Sequence, residues 1–178
     1  SRGLGDVYKR QGIYIEAGAF AADSYASMQA LRNALLDFKK SGKWVIAYGD
    51  TYTQGTYYLA SAADKVYLNP QGQIDWHGLA SQPVFIKDLL AKVGVKMQVV
   101  KVGAYKSAPE MFTDDRMSDA NREQTAAYLN SIWGNITKEV GASRQLSVVQ
   151  LNAYADSMIT FAAPADYVKM KLVDGLVY

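Results

Sequence analysis

The sequence predicts a single α/β domain built from repeated strand and helix units, and three observations favour this fold class. Short apolar runs alternate with segments of helical periodicity along most of the 178 residues. Residues 43–48 (KWVIAY) are almost continuously apolar, which is typical of a parallel strand covered on both faces. Hydrophobic residues make up 49% and charged residues 20% of the chain, so the composition is that of an ordinary globular protein.

The first part of the chain predicts a strand, a helix and a second strand. Residues 12–16 have the pattern of a strand, and Ser24 is placed to cap a helix that Gly42 ends. The apolar face of that helix has four members at helical spacing: Met28, Leu31, Leu35 and Phe38. Residues 43–48 then form the second strand, so these elements make a βαβ unit.

The elements that follow are shorter. Residues 49–53 predict a turn, and residues 54–63 predict a helix rich in small side chains. A strand is expected at residues 64–68, broken at 69–72 by Asn-Pro-Gln-Gly, with a further strand at 73–79.

The second half of the chain alternates in the same way. The predicted elements are a helix at 83–94, a strand at 95–102, a long helix from Ser118 to Gly141, a helix capped by Ser147, a short strand at 159–160 and a final helix at 164–171.

Composition and charge exclude several function classes. A formal charge of +2 without a basic stripe argues against nucleic-acid binding. The absence of cysteine excludes disulfides, thiol catalysis and zinc–thiolate sites. The acidic pair Asp114 and Asp115 has no companion ligand at helical spacing, so we expect a solvated loop there, and neither a metal nor a cofactor. The apolar runs are also too short to span a membrane.

Lys106 is the residue best placed for chemistry. The run 99–110 (VVKVGAYKSAPE) predicts a strand that ends just before this lysine, where α/β folds commonly place functional side chains. Apolar surroundings lower the pKa of a lysine and turn it into a general base. A solvated lysine at a loop entrance is the alternative.

No partner for Lys106 is evident in the chain. Ser107 is adjacent, but neighbouring side chains in an extended segment point to opposite sides. There is no Gly-x-Ser-x-Gly motif, and His77 is the only histidine, so a histidine-based triad is disfavoured. The partner is therefore expected outside the chain.

Three segments resemble the signal peptide peptidase A family, the membrane-bound bacterial protease IV. They are residues 42–43 (GK), 52–72 (YTQGTYYLASAADKVYLNPQG) and 102–108 (VGAYKSA). The resemblance runs from about residue 12 to the end of the chain and is to the N-terminal of two related domains in the long form. It implies the Clp-protease/crotonase-like superfold.

The family uses a Ser/Lys dyad, and the resemblance implies that Lys106 is the lysine base. Ser107 is expected to orient Lys106, whereas Tyr105 and Gly103 shape the strand end. The position that matches the nucleophile of the short form holds Gln54, which a peptide cannot acylate as it does a hydroxyl. The serine is expected in the C-terminal domain, so the fragment alone should be inactive.

The resemblance also implies partners and a location. Residues 12–178 would be the N-terminal domain, and residues 1–11 are expected to be a non-native, adapter-derived leader. The implied assembly is a homo-oligomer, a tetramer, held by an N-terminal membrane anchor. It would degrade cleaved signal peptides on the extracytoplasmic side of the bacterial inner membrane.

Two other functions stay open at this point. A crotonase-type acyl-CoA enzyme would share the superfold, but no acidic residue is convincingly placed for its chemistry. A non-catalytic scaffold or substrate-binding half, with Lys106 merely structural, is favoured for the fragment by Gln54.

Overall fold

The structure, a computed structural model, describes residues 11–19, 24–80 and 117–178. Four strands and five α-helices lie in these ranges and are numbered here in chain order. They are β1 Gly12–Glu16, α1 Tyr25–Lys39, β2 Trp44–Tyr52, α2 Gln54–Ala60, β3 Lys65–Ile74, α3 Asp119–Arg144, α4 Val148–Asp156, α5 Pro164–Lys169 and β4 Gly175–Leu176. The helix predicted at 83–94 and the strand predicted at 95–102 lie outside the described residues.

The chain divides into two compact units. One comprises Ser1–Gly78 and Gly134–Tyr178 and contains all four described strands. The other comprises Leu79–Trp133, of which the structure describes residues 79–80 and 117–133.

The four strands form a parallel sheet in the order β1-β2-β3-β4. This arrangement confirms the predicted α/β class with a parallel sheet. Side chains alternate along β2, where Val45 and Ala47 are fully buried and Trp44 is 47% exposed. Within the described residues the face that carries Trp44 is therefore only partly covered, and coverage of both faces of this strand stays a prediction.

Strands β2 and β3 are longer than predicted. The residues predicted to form a turn at 49–53 continue β2 as far as Tyr52. Beyond the Gly49–Leu68 pair, β3 bulges, and pairing resumes at Thr51 with Gln73. A side chain at Gly72 would lie 2.4 Å from the Asp50 carbonyl oxygen, so only glycine allows this approach. The predicted break at 69–72 therefore interrupts the pairing, but β3 runs on to Ile74.

Helix α1 begins as predicted, because the Ser24 side chain accepts a hydrogen bond from the Ser27 N–H. Its buried face differs from the prediction at two positions, because Leu31 is exposed and Phe38 is only half-buried. Leu31 is 37% exposed, whereas Arg32 is only 1% exposed and Met28 and Leu35 are buried. An arginine therefore takes a place in the core that was predicted for a leucine.

The Arg32 guanidinium joins three helices. Its Nη1 donates to the Tyr58 carbonyl and to Ser61 Oγ in and after α2. Its Nη2 donates to the Glu139 carbonyl at 3.0 Å and to Ser143 Oγ at 2.6 Å in α3. The group also lies 5.0 Å from the Tyr58 ring centroid. Nearly all of its directional donors are therefore used within the core.

The C-terminal elements depart from the prediction at two places. Helix α3 starts after the predicted cap, Ser118, but continues past Gly141 to Arg144. Gly141 serves close packing, since a side chain there would lie 2.5 Å from the Leu146 carbonyl oxygen. Ser147 caps α4 through a capping box, as its position predicts. Ile159–Phe161 is a 3₁₀ helix where a strand was predicted.

Two aspartates make the same pair of hydrogen bonds near the amino ends of the strands. The Asp64 N–H donates to the Val45 carbonyl, and its Oδ2 accepts from the Val45 N–H, both at 2.8 Å. Asp174, just before β4, makes the same two bonds with Val66, at 2.7 and 2.8 Å. Each aspartate thus aligns the strand that follows it with a neighbouring strand.

Replacing Asp174 with asparagine should lower the free energy of unfolding by about 1–2 kcal/mol at pH 7. Burial raises the pKa of the Asp174 carboxyl, but hydrogen bonds from Arg144 and the Val66 N–H outweigh burial, so this pKa lies below its usual range. The stabilisation is then present above the unfolded pKa of about 3.9 and is lost as the pH falls through the folded value. In urea unfolding, the difference between wild type and variant should shrink below about pH 4. A difference that does not change with pH would contradict this, and Asp156→Asn, at an exposed carboxyl, is the control.

Candidate functional site

The predicted catalytic segment lies outside the described residues. It comprises Lys106 and the three residues expected to support it, Ser107, Tyr105 and Gly103. Gln54, which the resemblance assigns to the short-form nucleophile position, lies within the described residues and defines the candidate site.

Gln54 is the first residue of α2, and only Thr53 separates it from the carboxyl end of β2. The Thr53 side chain accepts a hydrogen bond from the Thr56 N–H at 3.2 Å and caps the helix. Gly55 lies against α1, since a side chain there would lie 2.7 Å from Met28 Cε. These contacts fix Gln54 at a strand end, where parallel α/β sheets usually carry their sites.

The carboxamide of Gln54 binds the backbone of the segment that follows β3. Its Oε1 accepts hydrogen bonds from the N–H groups of His77 and Gly78, both at 2.9 Å. Its Nε2 donates to the Gly78 carbonyl, also at 2.9 Å. Gln54 is only 9% exposed. The side chain is therefore held in place, and its amide is not a nucleophile.

Three buried aromatic side chains, Tyr52, Tyr57 and Trp76, pack together close in sequence to Gln54 and His77. Tyr57 packs edge-on against Tyr52 and Trp76, with centroid distances of 6.0 and 5.7 Å. The Tyr57 hydroxyl donates to the Leu172 carbonyl, and Trp76 Nε1 donates to the Leu151 carbonyl. All three rings are fully buried. Burial raises the pKa of Tyr57 strongly, so this phenol stays protonated and acts in packing.

His77 forms a side-chain pair with Asp75 that the sequence analysis did not predict. Its Nδ1 lies 2.8 Å from Asp75 Oδ1, and the Thr160 hydroxyl donates to the same oxygen at 3.1 Å. The spacing of two residues in an extended segment was the available signal, because it places both side chains on one side. Only the backbone of His77 hydrogen-bonds to Gln54 in the described residues, so the imidazole is not part of that contact.

Two kinds of feature are absent from residues 11–19, 24–80 and 117–178. No group of three or more histidine, aspartate or glutamate side chains there is arranged to hold a metal ion. No helix in the same ranges has the length and apolar character needed to cross a membrane.

Comparison with known proteins identifies relatives of the chain. "Protease 4" of Salmonella typhi is 43% identical over 148 residues, which cover 83% of this chain and 24% of that protein. "Protease 4" of Haemophilus influenzae is 36% identical over 141 residues, covering 79% of this chain and 23% of that protein. "Serine protease SPPA, chloroplastic" of Arabidopsis thaliana is 29% identical over 124 residues, 70% of this chain and 18% of that protein. The chain thus spans about a quarter or less of the length of these relatives.

The family comparison covers most of the chain. The model of peptidase family S49 matches residues 37–178, a range that includes Gln54, the Arg32-binding residues of α2 and α3, and Lys106. Together with the relatives, this match confirms the predicted resemblance to signal peptide peptidase A. The chain belongs to peptidase family S49.

Proposed function

We propose that residues 12–178 are the N-terminal domain of a two-domain serine peptidase, and that Lys106 is the general base of its Ser/Lys dyad. The observation that carries this proposal is Gln54. The position that matches the short-form nucleophile holds an amide engaged by three backbone hydrogen bonds, so a serine nucleophile has to come from elsewhere. The superfold would be the Clp-protease/crotonase-like one.

The proposed reaction is acyl transfer to a serine. Neutral Lys106 accepts the hydroxyl proton as the serine oxygen attacks a peptide carbonyl carbon. The carbon–nitrogen bond then breaks, and the lysine returns that proton to the leaving amine. Lys106 next activates a water molecule, which hydrolyses the acyl ester and frees the serine. Backbone N–H groups beside the serine would stabilise the oxyanion, and Ser107 would orient the lysine.

The proposed substrates are cleaved signal peptides, degraded on the extracytoplasmic side of the inner membrane by an anchored homo-oligomer, a tetramer. In this proposal residues 1–11 are a non-native leader. The fragment alone is expected to be inactive because its serine belongs to the C-terminal domain.

The exposed face of the sheet supports the proposal that a further domain or subunit packs against this chain. Tyr14 is 58% and Trp44 47% exposed, and Tyr14 lies opposite Ile46 in the β1–β2 register. Parallel sheets are normally covered on both faces, so an aromatic face of this kind is expected to be buried against the remainder of the protein.

A peptidyl phosphonate that reacts with serine nucleophiles tests the two-domain dyad. The full-length protein should hydrolyse a synthetic signal peptide, and mass spectrometry should find the modified serine outside residues 1–178. The isolated fragment should show neither hydrolysis nor modification. A modified serine within residues 1–178 would overturn the proposal, whereas a full-length protein without hydrolysis would favour the scaffold function that Gln54 also suits.

A further inference from the structure

Basic side chains gather at the amino edge of the sheet. Residues at or just after the C-terminal ends of α1, α2, α3 and α5 line one cavity of about 490 Å³, together with the residues that precede β3 and β4. Among the described residues, seven cations lie at these helix and strand ends: Lys39, Lys40, Lys43, Lys65, Arg144, Lys169 and Lys171. Four carboxylates accompany them: Asp37, Asp64, Asp166 and Asp174. The amino edge therefore has an excess of three positive charges, contributed by residues too far apart in the sequence to form a basic run.

Four of the seven cations are matched by the four carboxylates. The pairs have N···O distances of 2.8–3.1 Å and are Lys39 with Asp64, Lys40 with Asp37, Arg144 with Asp174 and Lys169 with Asp166. Lys39 and Arg144 also donate to backbone carbonyls near helix ends, as cations at a helix C-terminus commonly do. These four side chains are therefore used within the fold.

The three surplus charges belong to Lys43, Lys65 and Lys171. Lys65 Nζ is 4.0 Å from the Asp174 carboxylate, which Arg144 already binds at 2.9 Å. Within the described part of the chain, neither Lys43 nor Lys171 has a carboxylate oxygen within 4.0 Å. These three lysines are thus available to an external anionic group.

The carboxyl ends of the described strands carry charge of the opposite sign. Glu16 ends β1, Asp50 lies two residues before the end of β2, and Asp75 follows β3. No lysine or arginine lies at these strand ends in residues 11–19 and 24–80. Because β2 has nine residues, the two edges are roughly 25–30 Å apart, about three Debye lengths at physiological ionic strength. A negative surface would therefore attract the amino edge and act only weakly on the carboxyl edge.

We propose that the amino edge of the sheet is a docking surface for a bilayer that contains anionic lipids. Charge complementarity supports this partner, because clustered lysines are attracted to anionic headgroups within a Debye length of the membrane surface. Nucleic acid fits less well, since proteins that bind it commonly contact about six or more phosphates. The inference rests on the proposed function, which puts the protein at a membrane. It adds an orientation, in which the edge that carries Gln54 faces away from the bilayer.

Lysine acetylation read by mass spectrometry tests this docking surface in the full-length protein. The protein is reconstituted into vesicles of phosphatidylcholine alone or of phosphatidylcholine mixed with phosphatidylglycerol, and a small uncharged reagent reaches both orientations. Lys40 and Lys169, whose side chains are 77% and 76% exposed, should react about threefold more slowly or less in the anionic vesicles. High salt should abolish this difference by screening. Lys138, about 9 Å before Arg144 along α3, is the internal control and should change by less than about twofold.

Two triple variants separate charge from other causes of protection. Replacing Lys43, Lys65 and Lys171 with glutamine removes the surplus charge but keeps Lys40 and Lys169, so their slower labelling in anionic vesicles should disappear. Replacing the same three lysines with arginine keeps the charge, and this protein should behave as the wild type does.

Three outcomes would overturn the proposal. They are equal labelling of the wild type in both kinds of vesicle, undiminished protection in the glutamine variant, and protection by duplex DNA but not by vesicles, which would assign the surface to nucleic acid. Labelling does not depend on catalysis, and the vesicles are supplied in the assay. Failure here is therefore distinguishable from failure of the dyad, which the phosphonate experiment tests.

Discussion

Replacing Arg32 with methionine is expected to lower the free energy of unfolding by about 3–5 kcal/mol, as measured by urea unfolding. Methionine fills much of the volume but removes the N–H donors that Arg32 supplies to the hydroxyls of Ser61 and Ser143 and to two backbone carbonyls. It also leaves the Glu139 carboxylate, whose Oε2 is 3.8 Å from Arg32 Nε, without its cation. Buried polar groups that lose their partners destabilise the folded state by more than the original bonds contribute.

Two variants separate the geometry of Arg32 from its charge. Arg32→Lys keeps the charge but lacks the planar fork that reaches α2 and α3 together, so it should recover only a minor part of the loss. Burial lowers the pKa of the Arg32 guanidinium, because removal from water disfavours its charged form. A lysine ammonium at this position would be disfavoured in the same way. Lys40→Met, at an exposed position near the end of α1, should change stability by less than about 0.5 kcal/mol. A loss below about 1 kcal/mol in Arg32→Met would mean that desolvation cancels the contacts of this arginine.

Helix starts could be predicted from the sequence, because they depend on neighbouring residues. The burial of Arg32 could not, because it depends on residues far along the chain. Ser24, Ser118 and Ser147 cap helices as predicted, because capping depends on residues within one turn. Arg32 lies four residues after Met28 and three before Leu35, so its spacing placed it on the buried face. Its charge favoured a solvent-exposed side chain, and the partners that allow its burial are up to 111 residues away in the sequence.

Two glycines led to wrong predictions, because tertiary contacts and not local preference decide the conformation there. Gly49 indicated a turn, but it lies within β2, where a side chain would come within 3.0 Å of Ala17 Cβ. Gly141 indicated a helix end, but it lies inside α3 and allows the Leu146 carbonyl to approach. In both cases the glycine lies against a close neighbour and not in a turn.

The candidate site was predictable only in part. The resemblance placed Gln54 at the nucleophile position, but nothing in the sequence linked it to His77 and Gly78, which lie 23 and 24 residues further on. The role of Lys106 stays a prediction, since that residue lies outside the described ranges.

Replacing Lys106 with alanine in the full-length protein should reduce kcat/KM for a signal peptide on the order of 10²–10⁴-fold, the usual contribution of a general base. Lys106→Arg should be equally impaired, because a guanidinium stays protonated and cannot accept the serine proton. Lys101→Ala, five residues earlier and within the predicted strand that leads to Lys106, is the matched control and should retain activity.

The pH dependence of the wild-type enzyme distinguishes a base from a structural lysine. If Lys106 must be neutral to accept the proton, kcat/KM should rise with pH and level off above the pKa of this lysine. Oligomer size and the thermal unfolding midpoint of Lys106→Ala should match those of the wild type, so that the loss can be assigned to chemistry. A variant that assembles normally and keeps more than about a tenth of the activity would place the base elsewhere and leave residues 12–178 a scaffold, because general-base removal costs at least about a hundredfold.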